Sequence, residues 1–232
     1  VVKQKAYGVQ LRKMAMNKTY IVKRIDMQQK LDWEKAMVAH IDYYPWDRCG
    51  YCPQAQGKLL ISQEALHVQL TAWEEQRRCE VKQYNGPVCE DSCLEFFFMP
   101  DPGHDKKYLS FEWNPLGYLF LSLGKDKCGR EMIDIGDFKS FFHVKILSDD
   151  EIWGVEFAIP NSCIKTIFSL VNMDVTKMKG NFFKCGNKTK YPHYGCWNNI
   201  KNKIPDFHLS DFFGNLVIET ENITQSKKII SI

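Results

Sequence analysis

Three glutamates fall on the polar phase of strand-like segments: Glu95 in Leu94-Glu-Phe96, Glu112 in Phe111-Glu-Trp113 and Glu156 in Val155-Glu-Phe157. A carboxylate accepts hydrogen bonds from hydroxyls, so several on one sheet face would read the edge of a sugar. A carboxylate pair would alternatively serve as the acid and base of a glycosidase, and the distance between the two groups decides that role. The reading without chemistry is a charged face turned to water. Six tryptophans add a second kind of chemistry. Trp113 and Trp153 lie on the apolar phase of their strands and are expected in the core. Trp46, after Pro45, and Trp197, beside Asn198 and Asn199, fall in loop-like segments with no strand face to bury them. An indole there offers a flat apolar face and an N–H donor for a ring-shaped ligand.

Cysteine and histidine placement is less directive. Nine cysteines is an odd count, so one thiol stays free if the rest pair. Cys49-Gly-Tyr-Cys52 and Cys89/Cys93 together would make a four-thiolate zinc site, although the spacing departs from the usual knuckle. The other reading is that each cysteine is a small core residue. Six histidines are scattered without an H-E-x-x-H pattern, and no P-loop, G-x-S-x-G or G-x-G-x-x-G is present. An enzyme with a familiar nucleophile is disfavoured.

The elements that must position these residues are mostly strands. Leu66, Val68, Leu70 and Ala72 alternate with His67, Gln69 and Thr71; Leu109, Phe111 and Trp113 alternate with Tyr108, Ser110, Glu112 and Asn114. Trp153, Val155, Phe157 and Ile159 share one phase of 152–159, opposite Glu156. Such period-two alternation marks half-buried strands. Further strands are expected near 20–25, 37–42, 58–61, 94–99, 117–123, 141–147, 181–185 and 215–219. Asp101-Pro-Gly103 and Asn114-Pro-Leu-Gly117 read as turns, the latter closing a hairpin. One helix is expected over 160–170, where Ile164, Ile167 and Phe168 recur at helical spacing after a polar cap. Around ten strands with so little helix predict an all-β chain, an antiparallel β-sandwich. The 232 residues, 44% hydrophobic and without an internal repeat or linker, suit one domain with its core over about 20–219.

Composition excludes some classes. Mean hydropathy is −0.36 and no apolar run approaches a helical membrane span, so no membrane partner is expected. No signal peptide is visible at the start, which favours the cytoplasm unless a signal was removed. Net charge is +3, but residues 1–30 carry eight Lys/Arg against one Asp, including the basic segment 1–19. Lys179–Lys203 adds six lysines and no acid. Basic stretches with aromatics between them can track phosphates, yet solvated lysines explain them as well, and nucleic acid is not the expected partner.

The pieces fall in an order that resembles carbohydrate-binding module family 9, within the wider DOMON-like group of sandwiches. The motifs are Asp91-Ser-Cys-Leu-Glu-Phe-Phe-Phe98, Tyr108-x-x-x-Glu-Trp-Asn114-Pro-x-Gly117, Gly180-Asn-Phe-Phe-Lys-Cys185, His193-x-x-x-Trp197 and Pro205-Asp-Phe-His208-x-x-x-Phe212-Phe-Gly214. The resemblance spans about residues 20–219. It implies non-catalytic binding of a sugar or glycan end in polysaccharide breakdown, with two tryptophans clamping the sugar. A Glu of the Asp-Ser…Glu strand and an Arg-x-Asn pair would help hold it. Glu95 matches that Glu and Asn114 the Asn, while Glu112 stands at the Arg position. Trp197 matches one clamp, and Cys89 occupies the region of the other. The expected carbohydrate site is therefore Trp197, Glu95, Asn114, Glu112, His193 and Asn198. The resemblance also allows structural calcium, and no other cofactor or metal is expected. The alternatives are a glycoside-processing enzyme using Glu95 and Glu112, or a DOMON-like module binding haem through His193 or His208.

Overall fold

A computed structural model describes residues 17–26, 31–170 and 177–219. Most of the basic segment 1–19 lies outside the described residues. The strands are β1 (Thr19–Arg24), β2 (Ala39–His40), β3 (Ala55–Ile61), β4 (Ala65–Trp73), β5 (Cys93–Met99), β6 (Tyr108–Trp113), β7 (Leu119–Gly124), β8 (Glu131–Met132), β9 (Lys145–Ser148), β10 (Ile152–Pro160), β11 (Lys177–Gly186), β12 (His193–Cys196) and β13 (Gly214–Ile218). Two helices accompany them, α1 (Phe138–Phe141) and α2 (Asn161–Phe168). No helix of the described residues is long and apolar enough to cross a membrane.

The strands hydrogen-bond in the order β8-β7-β6-β5-β11-β13-β1-β3-β4-β10-β9, with β12 added to β11 and β2 to β3. The path curls so that β5–β6 face β4–β10 as the two layers of a sandwich. Phe111 and Trp113 each stand 5.2 Å from Phe157 across that gap. Phe96, Phe98, Val68, Leu70 and Val155 fill the rest of it. Phe111, Trp113, Val155 and Phe157, on the apolar phase of their strands, are buried, and so are Phe96 and Phe98 of β5.

Most pairings are antiparallel, as expected, but β1 is parallel to both of its neighbours. Its first residues, Thr19–Val22, pair with β13, and Lys23–Arg24 pair with β3. One strand thus joins the two layers. The helix expected over 160–170 is α2, ending where Ser169 turns left-handed. The segment expected as strand from 141 instead completes α1, capped by the Asp137 carboxylate on the Ser140 N–H, before β9 begins.

A second apolar layer sits where alternation implied water. Phe97, Tyr108, Phe183 and Cys185 point outward from β5, β6 and β11, and Trp46, Val88, Ile200, Phe207 and Phe213 cover them. The covering residues come from loops, which carry no periodicity to announce it. The outer face of β5–β6 is therefore a buried layer. Its polar residues are held inside the protein, reaching solvent only where the cover leaves a gap.

Candidate functional site

That gap is a cavity of about 140 Å³ over β5, β6 and β11. Glu95 and Glu112 form its floor, directly opposite each other in the β5–β6 pairing. Cross-strand neighbours have Cβ atoms about 5 Å apart, so the carboxylates lie side by side on one wall. Both are almost fully buried, at 2% and 5% exposure. Arg130 closes the site from the β7–β8 turn, its Nη1 donating to Glu112 Oε1 at 3.1 Å. Gly124 makes that approach possible, because a Cβ there would lie 2.8 Å from the Arg130 backbone. One guanidinium faces two buried carboxylates. Burial therefore raises the proton affinity of both, and for Glu112 the neighbouring Glu95 adds to the effect.

The walls are aromatic and come from the C-terminal motif. Pro205, Asp206, Phe207 and His208 line one side, with Tyr194 of β12 beside them. Phe207 is fixed by stacking on Phe183 at 4.2 Å, and His208 by stacking on Phe97 at 4.9 Å. His208 Nδ1 shares a hydrogen bond of 3.0 Å with the Tyr108 hydroxyl. Burial and the cations Arg130 and Lys127 lower the His208 pKa to about 3, so its ring is neutral at pH 7. Cys89, Cys185, Lys127 and Asn187 complete the lining.

Of the six expected site residues, only Glu95 and Glu112 reach this cavity. Trp197 is no stacking platform: its ring packs in the core, edge-on to Phe182 and Tyr20 at 5.7 and 6.3 Å. Its N–H continues the ladder to Phe182 O, which turns the loop inward, and Gly214 leaves room for the indole. Trp46 is likewise buried, with Nε1 donating to Asn202 O. Asn114 spends every polar atom on its own turn and on its neighbours. Its Nδ2 donates to Val81 O and Asp91 Oδ2, and its Oδ1 accepts from Leu116 and Tyr118 N–H. Asn198 accepts from the Lys18 N–H and donates to Asn17 Oδ1 and Phe212 O, tying the loop to the start of β1.

His193 belongs to a different cluster. Its Nδ1 bonds Tyr191 O at 2.8 Å, leaving Nε2 to accept from Lys184 Nζ at 2.7 Å. Lys184 also bonds Glu74 Oε2 at 3.1 Å, and that oxygen accepts the Trp153 indole N–H at 2.9 Å. All of these side chains are buried. His193 and His208 therefore face no common space, and 140 Å³ is too small for a haem. Glu156, the third strand glutamate, is occupied by Gln69 and Lys145 on the far layer.

The four-thiolate set that cysteine spacing allowed also comes apart. Cys49 and Cys52 are exposed on a turn organised by Asp47, while Cys93 is buried with Cys185. No disulfide joins any of the nine cysteines. Among the described residues, the group suited to a metal is Cys93, Glu95 and Cys185, a thiol-rich set unlike the oxygen cage calcium requires.

Arg130, Tyr194, Phe207 and Asp206 are among the lining residues that the sequence did not assign to the site. Phe207 and Asp206 lay inside a motif quoted for its resemblance, so their positions were in view without a role. Arg130 had no signal beyond the turn glycines Gly124 and Gly129.

A two-layer β-sandwich with an acidic, aromatic-walled cavity on one outer face has the build of a sugar-binding module. The chain belongs to carbohydrate-binding family 9, whose model matches residues 26–218. It is similar to the crystal structure of a proposed carbohydrate-binding protein from Bacteroides uniformis ATCC 8492. That pair is 26% identical with a TM-score of 0.72, covering 88% of this chain and 100% of the other. Two structures of a family 9 module from Caldicellulosiruptor kristjanssonii share the fold. The complex with cellotriose is 13% identical with a TM-score of 0.59, covering 93% of this chain and 99% of that one. The complex with glucose is 15% identical with a TM-score of 0.59, covering 89% and 100%. No curated protein matches the chain.

Proposed function

We propose that this carbohydrate-binding protein takes a sugar or glycan end into the cavity floored by Glu95 and Glu112. The observation that carries the reading is the juxtaposition itself: two carboxylates and a guanidinium side by side, roofed by Tyr194 and Phe207. Carboxylates accept from sugar hydroxyls, Arg130 donates to a hydroxyl or ring oxygen, and Tyr194 offers its ring face to the C–H side of the sugar. The same geometry disfavours a glycosidase, whose two carboxyls flank the scissile bond from opposite sides. Here they share one wall.

Without a two-sided tryptophan clamp, affinity is expected near millimolar, roughly −4 to −6 kcal/mol. Calorimetric titration with glucose, cellotriose and other mono- and disaccharides tests the proposal. Arg130→Met should weaken the best ligand about tenfold or more, since a hydrogen bond from a charged group contributes about 1.5–3 kcal/mol. Tyr194→Ala should weaken it as well. Unchanged affinity in both variants would move the site elsewhere.

A further inference from the structure

At the floor of the sugar cavity, Glu95 sits against two buried thiols that hydroxyl recognition does not require. Cys93 and Glu95 are two residues apart on β5 and so share its outer face. Cys185 of β11 stands directly opposite Cys93 in the antiparallel pairing. The two thiol sulfurs and a Glu95 oxygen all lie within 4.8 Å of one another, and all three residues are buried. The Cys185 thiol donates to Glu95 Oε1 at 3.0 Å. Three strand positions fix this cluster, so it does not depend on a loop.

We propose that Cys93, Cys185 and Glu95 bind a zinc ion, with the fourth coordination position open to the cavity. This does not rest on the sugar reading, because the donors and their spacing stand whether or not a sugar enters.

Donor chemistry selects the metal. Two thiolates and one carboxylate suit zinc, whereas calcium and magnesium demand oxygen alone. Two sulfurs at 2.3 Å from a tetrahedral ion are about 3.8 Å apart, so donors already within 4.8 Å need shift by less than about 1 Å. Charge points the same way. Four acidic groups, Cys93, Cys185, Glu95 and Glu112, crowd one buried patch against the single guanidinium of Arg130. Without a metal, burial raises the Cys93 thiol, and a hydrogen bond with Cys93 together with burial raises Cys185, so both are protonated. Binding one Zn²⁺ releases the two thiol protons to solvent, plus one from Glu95 where it is protonated. The three ligands then carry −3 against the ion's +2, and the residual −1 lies near Arg130 and Lys184, both of which act on Glu95. Three protein ligands with one open position is the arrangement of a site that meets a further ligand. Glu112 and His208 line the space into which that position opens.

The experiment is a zinc titration of the reduced full chain against a chromophoric chelator, with cobalt(II) as a spectroscopic reporter. One equivalent should bind, and the cobalt form should show a near-ultraviolet sulfur-to-metal charge-transfer band. Cys93→Ser and Cys185→Ser should each weaken zinc by at least about a hundredfold, more than loss of an outer-shell partner usually costs. Each should also diminish the cobalt band, while the exposed-pair variant Cys49→Ser/Cys52→Ser changes neither. Circular dichroism confirms that each variant is folded. The wild-type cobalt spectrum decides the matter even where a variant is not, since thiolate ligation needs no mutant to be seen. Absence of stoichiometric zinc, a cobalt spectrum without thiolate character, binding that survives both serine variants, or a Cys93–Cys185 disulfide in the protein as isolated would each overturn the assignment.

Discussion

Replacing Lys184 with Met tests the frame on which the site is built. Lys184 follows Phe183 and precedes Cys185, so its side chain points to the opposite face of β11 from the cavity. There its ammonium is fully buried, shared among Glu74 Oε2 at 3.1 Å, His193 Nε2 at 2.7 Å and Cys185 O at 3.0 Å. Met fills much of the stem volume but supplies no charge. Glu74 would then keep only the Trp153 N–H as a close donor, with its other oxygen already without a hydrogen-bond partner. Breaking a buried pair by removing one partner costs about 3–5 kcal/mol, because the surviving charge is left uncompensated. With a urea m-value of about 2–3 kcal/mol/M, the unfolding midpoint should fall by about 1–2.5 M. The double variant Lys184→Met/Glu74→Gln removes the stranded charge and keeps an acceptor for Trp153. It should recover most of the loss, since isosteric replacement of a buried pair is often close to neutral. Urea unfolding followed by tryptophan fluorescence measures all three proteins. A loss below about 1 kcal/mol in the single variant, or a double variant worse than the single, would refute the argument that Glu74 is a dry, charge-compensated carboxylate.

Three further outcomes follow from the packing. Phe111→Ala should cost about 3–5 kcal/mol in the same assay, because the ring is buried between Phe142 and Phe157 and its loss leaves a cavity. Trp197→Ala should cost a similar amount in stability yet leave sugar affinity unchanged in calorimetry, as befits a core residue. His193→Gln should alter the pH dependence of unfolding. Burial and the Lys184 ammonium lower the folded His193 pKa to about 4 from 6.5, so between those values the unfolded chain binds the extra proton. Wild-type stability should therefore fall relative to the Gln variant as pH drops from about 6.5 to about 4, by at most about 3 kcal/mol. Urea midpoints of the two proteins measured across that range check it, and parallel curves would contradict the shift.

The parts of the fold that repeat were readable in the sequence. Alternation located β4, β6 and β10 to within a residue or two and put Phe111, Trp113 and Phe157 in the core. It failed where burial comes from irregular chain. Tyr108, Ser110 and Glu112 share a polar-looking phase, but Trp46, Phe207 and Phe213 arrive from loops to cover that layer. For the same reason Trp197, in a segment with no period, looked free and is in fact packed. Glu95 and Glu112 were legible as a pair because each sits mid-strand, and their direct opposition is a matter of register. Arg130 was not legible, since a turn residue reaches a site through backbone geometry that no spacing rule encodes. Asn114 drew notice through the family resemblance and Asn198 as an amide beside Trp197, but only the structure shows that their polar atoms are already committed.

The most direct test of sugar binding at this cavity is a crystal structure of the protein with the best-binding saccharide from the titrations. Sugar density is expected over Glu95 and Glu112, with hydroxyls within hydrogen-bond distance of Glu112 and Arg130 and a ring face on Tyr194. Density at any other surface, such as the cleft beside Tyr51 and Tyr191, with the Glu95–Glu112 cavity empty, would contradict it.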